Sequence, residues 1–197
     1  EVTEQDLDNI FPVIALLEGR CAYEAARNAS AADLHALGAL HERLQAHARA
    51  GLIKEYYETN FQIHEAIILL ADNRWLAHAI ADLRKILKLA RLQQLHAPGR
   101  LAQSLAEHMT VYAALQSRDS EGADAAMRTH LTRQREALRD LQARLAERMQ
   151  SARTERRRTS WLAVEAAGAG FLFPLDQAGE IFSIAGLRPL PHTQPWF

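Results

Sequence analysis

The stretch at 56–71, YYETNFQIHEAIILLA, combines an apolar helix pattern with two side chains that could bind a metal ion. Asn60 and His64 lie four residues apart, so on a helix they share one face, one turn above the other. The stretch holds too many apolar residues for a lightly buried surface helix, which predicts a helix through the middle of the domain. An amide oxygen and a ring nitrogen that face inward there need polar partners.

Two later predicted helices offer such partners in His108 and His130. Helical bundles assemble metal sites from side chains on facing helices, and three imidazoles with one oxygen form an ordinary ligand set for zinc. Imidazole also suits nickel, copper and iron. Only the Asn60 and His64 pair is a local signal, so the spacing alone leaves a structural or solvated role open for each histidine.

The helical period of apolar residues continues to about residue 150 and predicts an all-α fold of about six helices. Thr3 to Asp6 is typical of a capping box for the first helix, and Asn73 of a cap for the fourth. Pro12 either kinks the first helix or places its true start at Phe11. The first, second, third, fifth and sixth helices are predicted, in that order, at 5–27, from 30 or 31 to near 51, at 56–71, at 100–118 and at 121–149.

The composition changes after residue 150, which divides the chain into a helical domain, 1–150, and an extension, 151–197. Four of the six prolines lie within 161–197, where the helix signal is poor. FLFPL at 171–175 and EIFSI at 180–184 resemble short strands, but no further strands complete a sheet and a lone hairpin is marginal. We therefore predict an irregular C-terminal tail, draped on the bundle or exchanged with a partner chain.

The overall composition restricts the function. A net charge of −1 over 197 residues lacks the basic balance that indicates nucleic-acid binding. A single cysteine, Cys21, excludes an internal disulfide framework and favours a cytoplasmic protein. We find no membrane span, no signal peptide, and none of the common phosphate-loop, HExxH, CxxC or GxSxG motifs. His35, His41 and His47 do not follow the apolar stripe of the second helix and are predicted to be solvated.

Five segments carry a family resemblance. They are IFPVIALLEGRCAYEAA at 10–26, NFQIHEAI at 60–67, ADNRWL at 71–76, SLAEHMTVYAAL at 104–115 and RDSEGADAAMRTHL at 118–131. Their order and separations resemble the C-terminal effector-binding domain of the GntR family of bacterial transcription regulators, in the FadR-like branch called FCD. The resemblance covers about residues 2–150 and implies an antiparallel helical bundle that senses an effector and is not an enzyme.

Many members of that family bind a divalent metal through an Asp-x3-His pair and two further histidines. The resemblance places these ligands at Asn60, His64, His108 and His130, with zinc or nickel as the expected ion. The first ligand is asparagine here, so four neutral ligands would leave the charge of the ion uncompensated in a low-dielectric core. This departure predicts that a small carboxylate effector completes the coordination of the ion.

Three further residues are candidates to hold the remainder of the effector: Arg91, Arg100 and Ser104. A guanidinium group binds a carboxylate through two parallel hydrogen bonds, which makes arginine suitable for this task. The alternative is that both arginines lie on the bundle surface, where arginine is usually found.

Members of the family carry an N-terminal winged helix-turn-helix that reads the operator, and they dimerise across two half-sites. No such segment precedes residue 2 in this sequence, so we expect operator DNA to be bound only through a missing N-terminal domain. We expect a homodimer whose two arrangements the effector shifts, with the first and fourth helices as candidate surfaces.

Three other functions stay open from the sequence. A metal-dependent hydrolase could use Glu65 or Glu107 as base, although helix neighbours point about 100° apart and neither glutamate is well aimed at the ion. A metal-free interaction module would satisfy its histidines by hydrogen bonds in the core. A third function is a metal-free sensor of an apolar ligand such as an acyl chain.

Overall fold

The structure, a computed structural model, describes residues 3–158, 161–166 and 169–174. Its residues up to 158 form an all-α helical bundle, which confirms the predicted fold class. The helices are α1 (Glu4–Asn28), α2 (Ala31–Arg49), α3 (Ile53–Leu70), α4 (Arg74–Gln93), α5 (Arg100–Gln116) and α6 (Ser120–Arg158), with a 3₁₀ turn at Gln94–His96.

Side-chain caps begin three of the helices. The Thr3 hydroxyl accepts from the Asp6 backbone N–H while the Asp6 carboxylate accepts from the Thr3 backbone, which confirms the predicted capping box. Ser30 and Asp33 repeat this arrangement at the start of α2. The Asn73 side chain caps α4, as predicted. These caps fix where the chain reverses between helices.

Pro12 lies inside α1, which begins at Glu4. The prediction that Pro12 places the true start of the helix at Phe11 is therefore wrong. The missing N–H of proline removes one hydrogen bond but does not end the helix here.

Gly99 fixes the start of α5. Its φ of +75° lies in the left-handed region that favours glycine, and it directly precedes Arg100, the first residue of α5. This turn leads from the 3₁₀ segment into α5 and places Arg100 at a buried position, 1% exposed.

The core follows a stripe along each helix. In α1 the buried apolar residues Leu7, Phe11, Ile14 and Cys21 recur at intervals of three and four, with one gap. Glu18 occupies that gap and is itself buried. A charged side chain at a core position of a helix needs buried partners, which the site described below provides.

The chain divides into two compact units, 1–145 and 146–197. Within the second unit, β1 (Trp161–Ala166) and β2 (Ala169–Pro174) form an antiparallel hairpin in which Trp161 pairs with Pro174. This hairpin differs from the irregular structure predicted for the tail, because local pairing of two short strands suffices without a larger sheet. The predicted strand at 171–175 overlaps β2, whereas the one at 180–184 lies outside the described residues.

Within the described part of the chain, helices long and apolar enough to cross a membrane are absent.

Candidate metal centre

Three histidines from three helices meet inside the bundle. His64 of α3, His108 of α5 and His130 of α6 are each 0% exposed. One ring nitrogen from each lies within 4.8 Å of the others, and the ring centroids are 4.5 to 5.3 Å apart. Burial of three imidazoles at one point is a suitable arrangement for a metal ion.

A buried carboxylate orients His64. Nδ1 of His64 donates a hydrogen bond to the Glu18 carboxylate, which leaves the lone pair on Nε2. Nη2 of Arg91 lies 3.4 Å from that Nε2 and donates to it. Burial lowers the pKa of His64 to about 3, although the Glu18 charge opposes the shift. The ring is therefore neutral at physiological pH, the state that binds metals.

His130 is held in the same way by a second carboxylate. Its Nδ1 donates to Oε2 of Glu107 at 2.7 Å, so its Nε2 also carries the lone pair. The side-chain amide of Gln134 donates to this Nε2 at 2.7 Å. Burial lowers the pKa of His130 against the opposing hydrogen bond to Glu107. A carboxylate that holds the outer nitrogen of a metal-binding histidine is a common feature of metal sites.

His108 differs from its two neighbours because neither of its ring nitrogens has a hydrogen-bond partner among the described residues. Burial, together with the nearby imidazoles, lowers its pKa well below the usual value. Two unsatisfied buried nitrogens on one ring are costly unless another group binds them. The alternative in which core hydrogen bonds satisfy all three histidines is therefore wrong for His108.

Glu18 anchors one side of the cluster. It is 1% exposed and accepts from Nε of Arg84 at 3.0 Å and from Nη1 of Arg91 at 3.4 Å. Burial opposes its ionisation, but the charges of Arg84 and Arg91, with the hydrogen bond from His64, outweigh burial and hold the pKa of Glu18 well below its usual value. Arg84 also pairs with the partly exposed Glu65. The predicted alternative of a surface Arg91 is wrong, since this residue is 6% exposed.

Glu107 anchors the other side. Both terminal nitrogens of Arg100 bind its two carboxylate oxygens at 2.7 Å, and Nε of Arg100 donates to Gln94 at 2.6 Å. Burial opposes the ionisation of Glu107, but its hydrogen bonds from His130 and Arg100 hold its pKa below the usual value. The fork of Arg100 is thus already occupied by a carboxylate of the chain. Arg100 is therefore not a surface residue, and its role as an effector contact stays a prediction.

The remaining predicted site residues, Asn60 and Ser104, are buried on α3 and α5, 5% and 0% exposed. Asn60 lies one turn before His64, as its spacing predicted. Ser104 Oγ accepts a hydrogen bond from the Tyr56 hydroxyl at 2.9 Å. Their roles as metal ligand and effector contact stay predictions.

The two glutamates considered as catalytic bases both have other partners. Glu65 pairs with Arg84, and its side chain is 45% exposed. Both oxygens of Glu107 accept hydrogen bonds from Arg100. Both carboxylates are therefore already paired with a guanidinium group.

The buried charges next to the histidines comprise three guanidinium groups and two carboxylates, so one positive charge remains before any metal is added. They belong to Arg84, Arg91, Arg100, Glu18 and Glu107. The partly exposed Glu65 pairs with Arg84 and the partly exposed Arg133 pairs with Glu107, so these two outer charges cancel and the one positive charge remains. Any divalent ion bound by neutral imidazoles would then add two uncompensated positive charges in a low-dielectric region.

The structure contradicts the prediction that His41 of α2 is solvated. It is 2% exposed, its ring stacks on Tyr112 at 4.5 Å, and Nδ1 donates to the Leu37 carbonyl at 2.7 Å. Burial lowers its pKa. The aromatic contact and the backbone hydrogen bond explain how a histidine outside the apolar stripe becomes buried. His35 is exposed, as predicted, whereas His47 is half-buried and pairs with Thr59.

A groove of about 890 Å³ runs between α3 and α4. Tyr57, Phe61 and Leu92 give it apolar walls, and Lys88 and Arg91 are among its cationic residues. Arg91 belongs both to this groove and to the histidine cluster, because its two terminal nitrogens contact Glu18 and His64. Arg91 thus lies between the groove and the cluster.

The sequence did not identify Glu18, Arg84 or Gln134 as part of the site. One signal could have found them, since each is a polar residue at a position where the helical period predicts an apolar one. Ile80, Arg84, Leu87 and Arg91 form such a stripe in α4.

The donor set fits a divalent metal ion. Two of the histidines present unprotonated Nε2 atoms because carboxylates hold their Nδ1 atoms, and the third has both nitrogens free of protein partners among the described residues. Neutral imidazole nitrogen is a good ligand for zinc, nickel, copper and iron. The three buried histidines could therefore hold a metal ion.

The FCD domain family model matches residues 9–133 of the chain. The chain belongs to the FCD domain family, which confirms the resemblance to the effector-binding domains of GntR regulators. It is accordingly an effector-binding regulatory domain, and FCD domains of transcription regulators are in general non-enzymatic. FCD domains often bind metal, and the regulators that contain them act as dimers on DNA.

Two solved structures have a similar fold. McbR/YncC of E. coli is 24% identical with a TM-score of 0.66, over 72% of this chain and 71% of that one. The second structure is described by the words "Lar controls the expression of the Listeria monocytogenes agr system and mediates virulence". It is 12% identical with a TM-score of 0.60, over 71% of this chain and 66% of that one. No protein of curated function matches the sequence.

Proposed function

We propose that this domain senses a small carboxylate effector through a divalent metal ion, zinc or nickel, bound by His64, His108 and His130 with Asn60. The observation that carries the proposal is the convergence of three fully buried imidazoles, two of them oriented by buried carboxylates. Orientation of this kind fixes which nitrogen carries the proton and leaves the other for the ion.

The surrounding charge supports an anionic effector. Once the partly exposed Glu65 and Arg133 are counted, one positive charge remains near the cluster, so the ion's two charges find no counter-charge in the protein. A carboxylate that reached the ion would supply it. The groove between α3 and α4 is bordered by Arg91, beside the cluster, and its walls suit an acid with an apolar body.

Arg91 is the residue that best fits the carboxylate group of the effector. Its guanidinium lies between the groove and the cluster, with Nη2 directed at the Nε2 lone pair of His64. A metal ion at that lone pair repels the guanidinium, so Arg91 has to move away from the ring when the ion binds. A carboxylate between the ion and Arg91 would then attract both cations.

Loss of His108 is expected to weaken Zn²⁺ binding strongly. Structural Zn²⁺ sites bind the ion with a free energy of roughly 10–16 kcal/mol. Divided over about four ligands, this means that the loss of one ligand lowers the affinity on the order of a hundredfold or more. The test is metal analysis of purified protein, followed by Zn²⁺ titration of chelator-treated wild type, His108→Leu and His35→Leu. The exposed His35 variant should match the wild type. Wild-type protein without Zn²⁺ or Ni²⁺ affinity would refute the metal site.

Replacement of Arg91 by methionine is expected to change two affinities in opposite directions. The affinity for a carboxylate should fall by on the order of tenfold to a hundredfold, because a charge-assisted hydrogen bond is lost. The affinity for Zn²⁺ alone should rise, since a cation no longer faces Nε2 of His64. Isothermal titration with mono-, di- and tricarboxylic acids, with and without Zn²⁺, measures both.

The matched control for this variant is Arg49→Met, at an exposed position of α2. Carboxylate affinity that is unaffected by removal of the metal would contradict coordination to the ion. A fall in both affinities would instead indicate that Arg91 only supports the packing of the cluster.

The homodimer stays a proposal for this chain, and exposed apolar residues on two helices support it. Trp75, Ile86 and Leu89 of α4 are 71%, 43% and 65% exposed, and Val13 and Leu16 of α1 are 46% and 52% exposed. Large exposed apolar side chains favour a protein interface. In the full regulator, a separate DNA-binding domain would contact the operator and the effector would shift the dimer between two arrangements.

A further inference from the structure

Gln134 lies against the histidine cluster with half of its amide unsatisfied. It is located one turn after His130 on α6 and is 1% exposed. Its Nε2 donates to Nε2 of His130 at 2.7 Å, while its Oε1 is buried without a hydrogen-bond partner among the described residues. An unsatisfied buried acceptor costs roughly 1–3 kcal/mol, so a group that binds Oε1 would stabilise the folded state.

The hydrogen bond from Gln134 occupies the nitrogen that a metal ion would need. Because Nδ1 of His130 is held by Glu107, the Nε2 atom is the one available to an ion. A cation at that nitrogen repels the amide N–H groups and attracts the amide oxygen. A half-turn of the amide about its Cγ–Cδ bond exchanges the two and brings Oε1 to the side of the ion.

The distance agrees with this exchange. Two ligands that each lie about 2.1 Å from one ion are separated by about 3.0 Å at a right angle and by about 3.4 Å at the tetrahedral angle. The amide atom of Gln134 that faces His130 is 2.7 Å from Nε2. Because the amide now lies on the lone pair of Nε2, its oxygen can share an ion with the imidazole once the Gln134 side chain moves aside from that line.

We infer that Gln134 is a further metal ligand of this domain, binding the ion through Oε1, an inference that rests on the proposed metal site. In the metal-free state its amide donates to His130, and in the metal-bound state its oxygen replaces that contact. Two helices then each contribute an imidazole and an amide four residues apart, Asn60 with His64 and His130 with Gln134. Both amides are neutral, so the ion keeps its full charge for an anionic effector.

The test compares Gln134→Leu and Gln134→Glu with the same two changes at Gln103, an exposed residue of α5. Zn²⁺ alone is the probe for affinity, measured by competition with a chromophoric chelator. Gln134→Leu should weaken binding on the order of tenfold or more, and Gln134→Glu should strengthen it because a carboxylate adds charge to the donor set. The Gln103 variants should match the wild type.

Visible absorption of bound Co²⁺ gives a second measurement, since its intensity rises when the number of ligands falls. We expect a more intense spectrum for Gln134→Leu than for the wild type. Equal Zn²⁺ affinity and equal Co²⁺ spectra would overturn the role of Gln134 and leave the three-histidine site intact. Absence of Zn²⁺ binding by the wild type would overturn both.

Circular dichroism of the metal-free variants shows whether each is folded. If Gln134→Leu does not fold, Gln134→Glu decides the matter by itself. A glutamate with weaker or unchanged Zn²⁺ affinity would overturn the inference, because a carboxylate oxygen at a ligand position binds a divalent ion more tightly than an amide oxygen does.

Discussion

Acidification of the metal-free protein from about pH 7 to about pH 5 is expected to lower its free energy of unfolding by several kcal/mol. His64, His108 and His130 are fully buried, and burial lowers the pKa of each, to about 3 for His64. In the unfolded chain an imidazole titrates near about 6.5. The unfolded state therefore binds more protons below that pH, so stability falls as the pH falls.

The size of this effect follows from the number of buried imidazoles. Each histidine that stays neutral only in the folded state contributes a slope of about 1.4 kcal/mol per pH unit, so these three and the buried His41, whose pKa burial also lowers, contribute up to about 5 kcal/mol per unit. For His64 the window extends from about 6.5 down to about 3. Glu18 and Glu107 act in the same direction, but only as the pH falls through the ordinary carboxyl pKa of 4.5.

Urea unfolding at several pH values, in the presence of a chelator, measures this slope. The variant His108→Leu should reduce it by about one proton, or about 1.4 kcal/mol per pH unit, because one buried imidazole is removed. The control His35→Leu removes an exposed imidazole and should leave the slope unchanged. A wild-type slope below that of a single histidine would show that the cluster takes up protons while folded.

The fold was largely predictable from the sequence because local signals agree with the helical period. The capping pairs at Thr3 and Asn73 and the apolar stripes set most helix starts correctly. The end of α6 at Arg158 was not predictable. The charged run near its end has no apolar stripe, and a helix can continue through such a run without one. The hairpin at 161–174 depends on the pairing of two strands, which periodicity in either strand does not show.

The site was predictable only in part. The family resemblance selected His64, His108 and His130, and the structure brings these three together. The partners that orient them were missed because they lie far away in sequence, as Glu18 does from His64 and from Arg84. The spacing of residues along one helix does not show which residue of another helix packs against it.

A buried network of opposite charges explains how this bundle tolerates polar side chains at core positions. Each ionic group there has a counter-charge or a charge-assisted hydrogen bond, and the histidines remain neutral. The same network controls which nitrogen each ring presents. We therefore expect stability and metal binding to be coupled through Glu18 and Glu107.

The Glu18→Gln variant is expected to lower the free energy of unfolding by about 3–5 kcal/mol, as when one partner of a buried ion pair is removed. Among the described residues Glu18 is the counter-ion that the structure gives to Arg91, and it also pairs with Arg84. A neutral amide leaves Arg91 buried without a counter-charge and presents N–H groups to two guanidinium groups. Urea unfolding of the metal-free protein measures the loss, and the exposed Glu42→Gln variant should lie within about 0.5 kcal/mol of the wild type.

A double-mutant cycle separates the electrostatic cause from a packing defect. When Arg91→Met is combined with Glu18→Gln, the unpaired cation disappears together with its counter-ion, so part of the lost stability should return. A simple packing defect would instead make the two losses add. Additive losses, or a loss below about 1 kcal/mol for Glu18→Gln alone, would mean that the charges of this network do not determine the stability of the bundle. Recovery in the double variant would show that the bundle needs Glu18 as the counter-ion of Arg91, the arginine that faces the histidine cluster.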